Sequence, residues 1–401
     1  MADVLIHVQH LLGIGHLQRA GRIAAGSAAA GLDTVLASGG LPVPDLDIGA
    51  ARLEQLPPAR AGDAGFSHLA DADGRPVDDA WKAQRRDATL ALFARERPRV
   101  LLLELFPFGR RSLRFELLAL LQAAHASNPR PWIVVSLRDL LNPPAPEKAA
   151  WAIDLVGRYV DRVLVHGDPG VARLEETFPE AHRIADRLVY TGYVVPEMPR
   201  DVPASGEVLV STGGGAVGGA LGHAAVRARA LSRRAGQAPW RVLLGGNLPR
   251  RDFDAIHAAA DAGTTVARNR PDFARLLAGC RLSVSQAGYN TVMEVLAAGV
   301  PGVVVPFEGD GGEREQALRA QRLAAAGRLA QLREAELTPA RLADAVDRAL
   351  ASRAETGPAQ PGLSGIDLGG VATSAKILHE FAAKVPAEEA GQSAHGATEE
   401  W

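Results

Sequence analysis

The chain has 401 residues, 47% of them apolar, and a formal net charge of −2. That length predicts two domains of roughly 200 residues, each with its own core, and the near-neutral balance offers no basic field for nucleic acid. A single cysteine, Cys280, excludes an intramolecular disulfide and a multi-cysteine metal site, and its apolar neighbours (Leu276, Leu277, Leu282) predict a buried thiol in a reducing compartment.

Short apolar strands alternate with helical patterns from the first residues: Val4 to Val8, a helix near His16 to Ala30, then Thr34 to Ala37. Such alternation predicts a parallel sheet covered by helices on both faces. Residues 1 to 9 read as a strand rather than a signal peptide, and no apolar run approaches the ~18 residues of a membrane span. The expected location is therefore the cytoplasm, with peripheral contact at the inner face of a membrane left open. Val100 to Leu105 is the next strand, followed by a helix from about Arg111 to Ala126. Trp132 to Leu137 and Arg162 to His166 are two more strands, and Val189 to Thr191 completes this half. Polar residues at strand carboxyl ends are where open α/β sheets hold ligands. Glu104, Asp139, His166 and Asp168 are secondary candidates on that ground. For Asp139 and Asp168 the alternative is a capping role, with Asp168-Pro169 able to start a helix.

Val195 to Gly206 carries Pro196, Pro199 and Pro203 with no periodicity and reads as a linker. A second alternating series follows, with strands at Glu207 to Ser211, Arg241 to Leu244, Thr264 to Ala267, Leu282 to Val284 and Val303 to Val305. Helices are expected near 219–234, 252–262, 272–278, 291–298, 313–326, 338–351 and 370–383. The predicted organisation is a first domain over 1–194, a linker over 195–206, a second domain over 207–385 and a disordered tail over 386–401, with Trp401 exposed.

Three loops stand at strand ends in front of helices. Gly13-Ile14-Gly15-His16 suits a phosphate or the close approach of a sugar. His16, in the first helical turn, feels the positive end of the macrodipole, which lowers its pKa and favours the neutral imidazole that can accept a hydroxyl proton. The alternatives are a plain cap or a carbonyl contact at the helix start, or stabilisation of a diphosphate rather than proton transfer. Ser211-Thr212-Gly213-Gly214-Gly215 can form an anion-binding nest for a diphosphate, or else a flexible turn. Ser285-Gln286-Ala287-Gly288 makes a tight turn before a helix carrying Thr291 and Glu294. One turn in, Glu294 can reach the two hydroxyls of a ribose. Arg268 and Asn269 close the strand before this motif, and Arg270 has Asp272 as a simple ion-pair partner. The loop after Phe307 is acidic and glycine-rich; Gln316 suits sugar hydroxyls, whereas Asp310 and Glu313 read as solvated. No Asp-x-Asp metal motif stands at a strand end. A dinucleotide enzyme is disfavoured, because neither first turn carries a full Gly-x-Gly-x-x-Gly and Ala37-Ser38-Gly39-Gly40 stands where an acidic ribose ligand is needed.

The stretch 285–307 resembles the donor-nucleotide motif of glycosyltransferase family 28. The resembling residues are Ser285, Gly288, Glu294, Pro306-Phe307 and Gln316, together with Gly15-His16 and Arg19 in the first loop and the glycine loop at 211–215. The family's Asn before Ala320 is Arg319 here and its paired glutamines are Glu315-Gln316, so no sugar preference carries over. Segments 104–109 and 165–169 resemble a group of predicted bacterial glycosyltransferases related to family 28, which extends the likeness to about residue 380.

The resemblance implies a GT-B fold of two Rossmann-like domains facing across a cleft. It further implies base contacts from Asn269 and Arg268, and an inverting, metal-independent, cofactor-free transfer from a nucleotide-diphosphate sugar, most often a UDP-sugar. The acceptor would be a small molecule, a glycan or a lipid-linked molecule. Alternatives on the same fold are a UDP-sugar hydrolase or 2-epimerase and a silent nucleotide-sugar-binding partner subunit.

Overall fold

A computed structural model describes residues 1–11, 13–62, 68–213, 218–309, 314–356 and 365–386. Gly214, Gly215, Asp310, Glu313 and the tail from 387 to Trp401 lie outside the described residues.

The first sheet has seven parallel strands: β1 (Val4–Val8), β2 (Thr34–Ser38), β3 (Arg52–Gln55), β4 (Val100–Glu104), β5 (Trp132–Arg138), β6 (Arg162–His166) and β7 (Leu188–Tyr190). Their spatial order is β3-β2-β1-β4-β5-β6-β7. The central strands β1 and β4 are buried along their whole length, as nearly continuous apolar runs are when helices cover both faces, with His7 and Glu104 as their one polar residue each. Helices α1 (Gly15–Ala29), α2 (Asp79–Glu96), α3 (Arg114–Ala126) and α4 (Pro146–Tyr159) cover the two faces.

The second sheet holds β8 (Val208–Ser211), β9 (Trp240–Leu244), β10 (Thr264–Arg268), β11 (Leu282–Gln286), β12 (Gly302–Val305) and β13 (Ala330–Gln331), all parallel, in the order β10-β9-β8-β11-β12-β13. Its helices are α5 (Gly219–Ala228), α6 (Arg250–Ala258), α7 (Phe273–Gly279), α8 (Tyr289–Ala298), α9 (Glu315–Ala325) and α10 (Pro339–Thr356). In each sheet the strand order reverses beside the first strand, between β1 and β4 and between β8 and β11. That switch leaves a crevice at the carboxyl ends, where doubly wound sheets bind ligands.

The sequence reading groups 207–385 together, yet the last helix of that span, α11 (Gly370–Lys384), packs on the first sheet. Leu378, Phe381 and Ala382 join the core of Ile6, Leu17, Ile23 and Leu102, and the Phe381 ring stacks on Trp132 at 4.3 Å between centroids. The chain thus crosses between domains twice, and the crossings hydrogen-bond to each other: Tyr193 N donates to Asp367 O at 2.7 Å and Gly370 N to Tyr193 O at 3.1 Å. A side chain at 370 would put its Cβ 2.5 Å from the Gly192 carbonyl oxygen, so the second crossing needs glycine there. No helix among the described residues is long and apolar enough to cross a membrane.

Candidate functional site

The first loop and helix α8 meet across the domain boundary. Asn290, in the first turn of α8, donates from Nδ2 to Gly15 O at 3.2 Å and lies 3.3 Å from Gln18 Oε1. A Cβ at Gly15 would fall 2.8 Å from the same Asn290 nitrogen, which explains the glycine by close approach of the two domains. At Gly13 a Cβ would meet nothing within 4 Å, and this residue is exposed.

His16 does not cap its helix. Its Nδ1 lies 2.8 Å from Glu104 Oε1, at the end of β4. Glu104 is 3% exposed and fully engaged, since Arg19 donates to Oε1 and Ser136 Oγ to Oε2 at 2.6 Å. Burial alone would raise the Glu104 pKa, but Arg19, His16 and Ser136 outweigh it and hold it down to about 2. An ionised carboxylate only accepts, so His16 must present Nδ1–H to Glu104 and leave Nε2 as the lone-pair nitrogen. Nε2 has no hydrogen-bond partner among the described residues, and the side chain is 18% exposed. Burial, and then the Arg110 guanidinium, pull the His16 pKa down to about 3, which keeps the ring neutral. The result is a carboxylate-oriented imidazole with one open edge, the arrangement of a general base.

Arg110 escapes the sequence reading. It sits in a left-handed conformation (φ 59°) after the turn that follows β4, and its Nε donates to Gln9 O at 2.8 Å. Its two terminal nitrogens have no hydrogen-bond partner among the described residues, so a cation stands beside His16 with donors to spare.

The secondary candidates fall behind this edge rather than on it. His166 is fully buried, with Nε2 2.9 Å from Ser136 Oγ and Nδ1 2.9 Å from Thr191 Oγ1, so the chain His16–Glu104–Ser136–His166–Thr191 is continuous. Asp139, also fully buried, grips Arg319 of α9 with both oxygens at 2.7 and 2.9 Å. Neither is open to an acceptor in this arrangement. Asp168 starts no helix. It accepts from Gly170 N at 2.7 Å and from Asp367 N at 2.8 Å, which pins the second domain crossing. Tyr289 reaches from α8 into the first domain, donating to His166 O at 2.9 Å, with the guanidinium carbons of Arg19 and Arg319 at 5.2 and 5.4 Å from its ring centroid.

In the second domain Gly213 (φ 71°) and Gly218 (φ 116°) bracket the undescribed part of the glycine loop, in conformations that disfavour any side chain. Thr212 Oγ1 accepts from Gly245 N at 3.1 Å, Ser211 Oγ from Gly213 N at 3.4 Å, and Asn269 Nδ2 donates to Gly213 O at 2.9 Å. Those three side chains therefore brace the loop. Arg268 is committed to the carbonyls of Gly245 and Leu248 and to the Phe253 ring, and Arg270 pairs with Asp272 at 2.7 Å.

Ser285 is buried with no hydrogen-bond partner for its hydroxyl among the described residues, Gln286 and Ala287 are buried, and Gly288 is the residue before α8. Thr291 is half-buried on that helix. Glu294 accepts from Arg22 of α1 at 2.7 Å. Gln316 Oε1 accepts from Phe307 N at 3.2 Å, and its amide nitrogen has no hydrogen-bond partner among the described residues. Among the described residues no group of three or more His, Cys, Asp or Glu is arranged to hold a metal ion.

Residues 262–362 match the model of the glycosyltransferase family 28 C-terminal domain. This family 28 match takes in β11, α8, β12 and α9, the elements that carry Ser285, Glu294 and Gln316. A curated relative, the UDP-N-acetylglucosamine–N-acetylmuramyl-(pentapeptide) pyrophosphoryl-undecaprenol N-acetylglucosamine transferase of Thermotoga neapolitana, is 40% identical over 72 residues. Those residues are 18% of this chain and 20% of the relative. The calicheamicin glycosyltransferase CalG4 shares the fold over 96% of this chain and 99% of its own, with a TM-score of 0.61 at 18% identity. Acinetobacter baumannii MurG does so over 94% and 99%, at 0.57 and 16%. The spinosyn rhamnosyltransferase SpnG, solved with thymidine diphosphate, covers 96% of each chain at 0.54 and 17%. The architecture is GT-B, two Rossmann-like domains facing across a cleft.

Proposed function

We propose that the protein is a glycosyltransferase that moves a sugar from a nucleotide-diphosphate donor, a UDP-sugar, to a hydroxyl acceptor, with inversion and without a metal or other cofactor. The observation that carries this reading is the His16–Glu104 pair at the carboxyl end of the first sheet, set directly opposite the family 28 helix that bears Glu294. In this reading Glu294 takes the ribose, the 211–218 loop and the turn at 285–288 take the diphosphate, and Gln316 takes the sugar. His16 Nε2 accepts the acceptor's proton as its oxygen attacks the anomeric carbon from the face opposite the diphosphate. A closed two-domain cleft supplies the required alignment of base, acceptor and leaving group. Backbone amides at the two glycine turns, with the N-terminus of α8, would take over the charge neutralisation that a divalent ion provides elsewhere.

UDP release from UDP-sugars tests the reading. The expected result is release in the presence of EDTA that rises when a hydroxyl acceptor is added, with a product of inverted anomeric configuration by proton NMR. Release that ignores every acceptor and yields free sugar would assign a hydrolase instead, and a strict need for magnesium would remove the metal-free mechanism.

A further inference from the structure

Helices α1 and α8 lie side by side across the domain boundary. Gly15, Gln18, Arg19 and Arg22 occupy one stripe of α1 at positions i, i+3, i+4 and i+7, and Tyr289, Asn290 and Glu294 face it from α8. At the far end of this seam Arg22 Nη2 donates to Glu294 Oε1 at 2.7 Å, with the side chains 16% and 14% exposed. Two groups of the pair are not used. Glu294 Oε2 has no hydrogen-bond partner among the described residues. Arg22 Nη1 is a buried nitrogen without an acceptor among the described residues. A buried guanidinium nitrogen left unpaired is costly, and a ligand oxygen at that point would remove the cost.

We propose that Arg22 of the first domain is a positioning residue of the donor site, fixing the Glu294 carboxylate through Oε1 so that Oε2 meets the ribose diol, with Nη1 completing the contact to the same hydroxyls. This inference rests on the donor role of Glu294. It goes beyond that role, because it makes ribose recognition the property of both domains. A carboxylate on a single helix can swing among rotamers, whereas one held by a fork from the facing helix presents its free oxygen in one direction. Donor binding is then favoured only when α1 and α8 are together, so the nucleoside itself holds the cleft closed.

Calorimetric titration with UDP and 2′-deoxy-UDP tests the assignment on the wild-type protein and on the Arg22→Met, Arg22→Lys and Glu294→Gln variants and the R22M/E294Q double. Wild type should prefer UDP by about tenfold or more, the usual scale of a charge-assisted hydrogen bond. Arg22→Met should lose about tenfold in affinity for UDP but less than twofold for 2′-deoxy-UDP, so that the preference collapses. Arg22→Lys should regain part of it, and the double variant should bind UDP no more weakly than Glu294→Gln alone. Equal weakening of both nucleotides by Arg22→Met would reduce Arg22 to a structural strut, and tighter UDP binding would make it a competitor of the ribose; either overturns the proposal. If the wild-type protein binds neither nucleotide, the donor reading itself fails, an outcome separate from normal wild-type binding with an indifferent Arg22→Met.

Discussion

Replacing His16 by Ala is expected to lower kcat by about 10²–10⁴-fold, the range supplied by a positioned general base, while the affinity for the donor nucleotide stays within about twofold. The asymmetry follows from geometry. The ring's bonded nitrogen faces Glu104 inside the first domain, and its open nitrogen has no hydrogen-bond partner among the described residues, so the substitution removes a proton acceptor without touching the nucleotide-binding turns. The pH dependence carries the same signature. His16 must be neutral to act, and its pKa in the folded protein is held to about 3, below the ordinary 6.5. The active form is therefore full at neutral pH and is lost only as pH falls toward that lower value. The acid limb of kcat/KM should accordingly lie well below pH 6.5. A base this weak suits a transfer in which the acceptor oxygen becomes acidic as its bond to the anomeric carbon forms, so that the proton leaves late. Equal turnover in His16→Ala, or an acid limb centred near 6.5, would remove the residue from the mechanism as described.

The second large effect concerns stability. Arg319 and Asp139 are both fully buried, come from different domains, and meet through two hydrogen bonds of 2.7 and 2.9 Å, while Arg319 Nη1 also donates to Ala287 O at 3.3 Å. Arg319→Ala leaves the Asp139 carboxylate without its counter-charge in a site closed to water. The expected cost is about 3–5 kcal/mol in chemical denaturation, far above the ~1 kcal/mol typical of an exposed pair. Replacing both partners, Asp139→Leu with Arg319→Met, should recover a large part of that loss, because no lone charge remains. A loss below 1 kcal/mol in Arg319→Ala would show that water reaches the pair and that the domains are not locked there. The same substitution bears on function, since Ala287 belongs to the turn in front of α8 and Arg319 fixes its carbonyl.

Much of the architecture is legible in the chain because fully buried parallel strands announce themselves as short apolar runs. Val4–Val8, Val100–Glu104 and Gly302–Val305 are such runs, and the glycine turns that follow several of them lead into helices. The edge strand β3 is not legible, since Arg52–Gln55 is mostly solvent-exposed and has no apolar face to signal a strand. Helix α2 is missed for a different reason. Its buried face is Arg85, Thr89, Leu92, Phe93 and Glu96, three of five polar, and Arg85 is satisfied by distant partners: the Glu116 carboxylate, 31 residues away at 2.7 Å, the Gln9 side chain and the carbonyls of Gly39 and Pro57. The return of α11 to the first domain depends on a ring stack between Trp132 and Phe381, which no local pattern encodes.

The candidate site divides in the same way. Loops and their glycines are local and readable: Gly299 ends α8 in a left-handed conformation, as Gly-x-Pro suggests. Partnerships are not. Arg22 with Glu294 and Arg319 with Asp139 are separated by 272 and 180 residues, so single-sequence reasoning could propose Glu294 and Asp139 as ligand contacts but not see the arginines that meet them. Burial likewise turned His166 from an acceptor candidate into a support for Glu104 through Ser136, a residue with no distinguishing sequence context.

The central claim, a nucleotide-diphosphate donor held by the second domain, is tested most directly by differential scanning fluorimetry with UDP, GDP, TDP, ADP and NAD on the parent protein and on Glu294→Ala. The account predicts that UDP raises the Tm of the parent by several degrees at saturating concentration, as selective binding to the folded state requires, and raises that of Glu294→Ala much less. Stabilisation by NAD alone, or by none of the five, would contradict it.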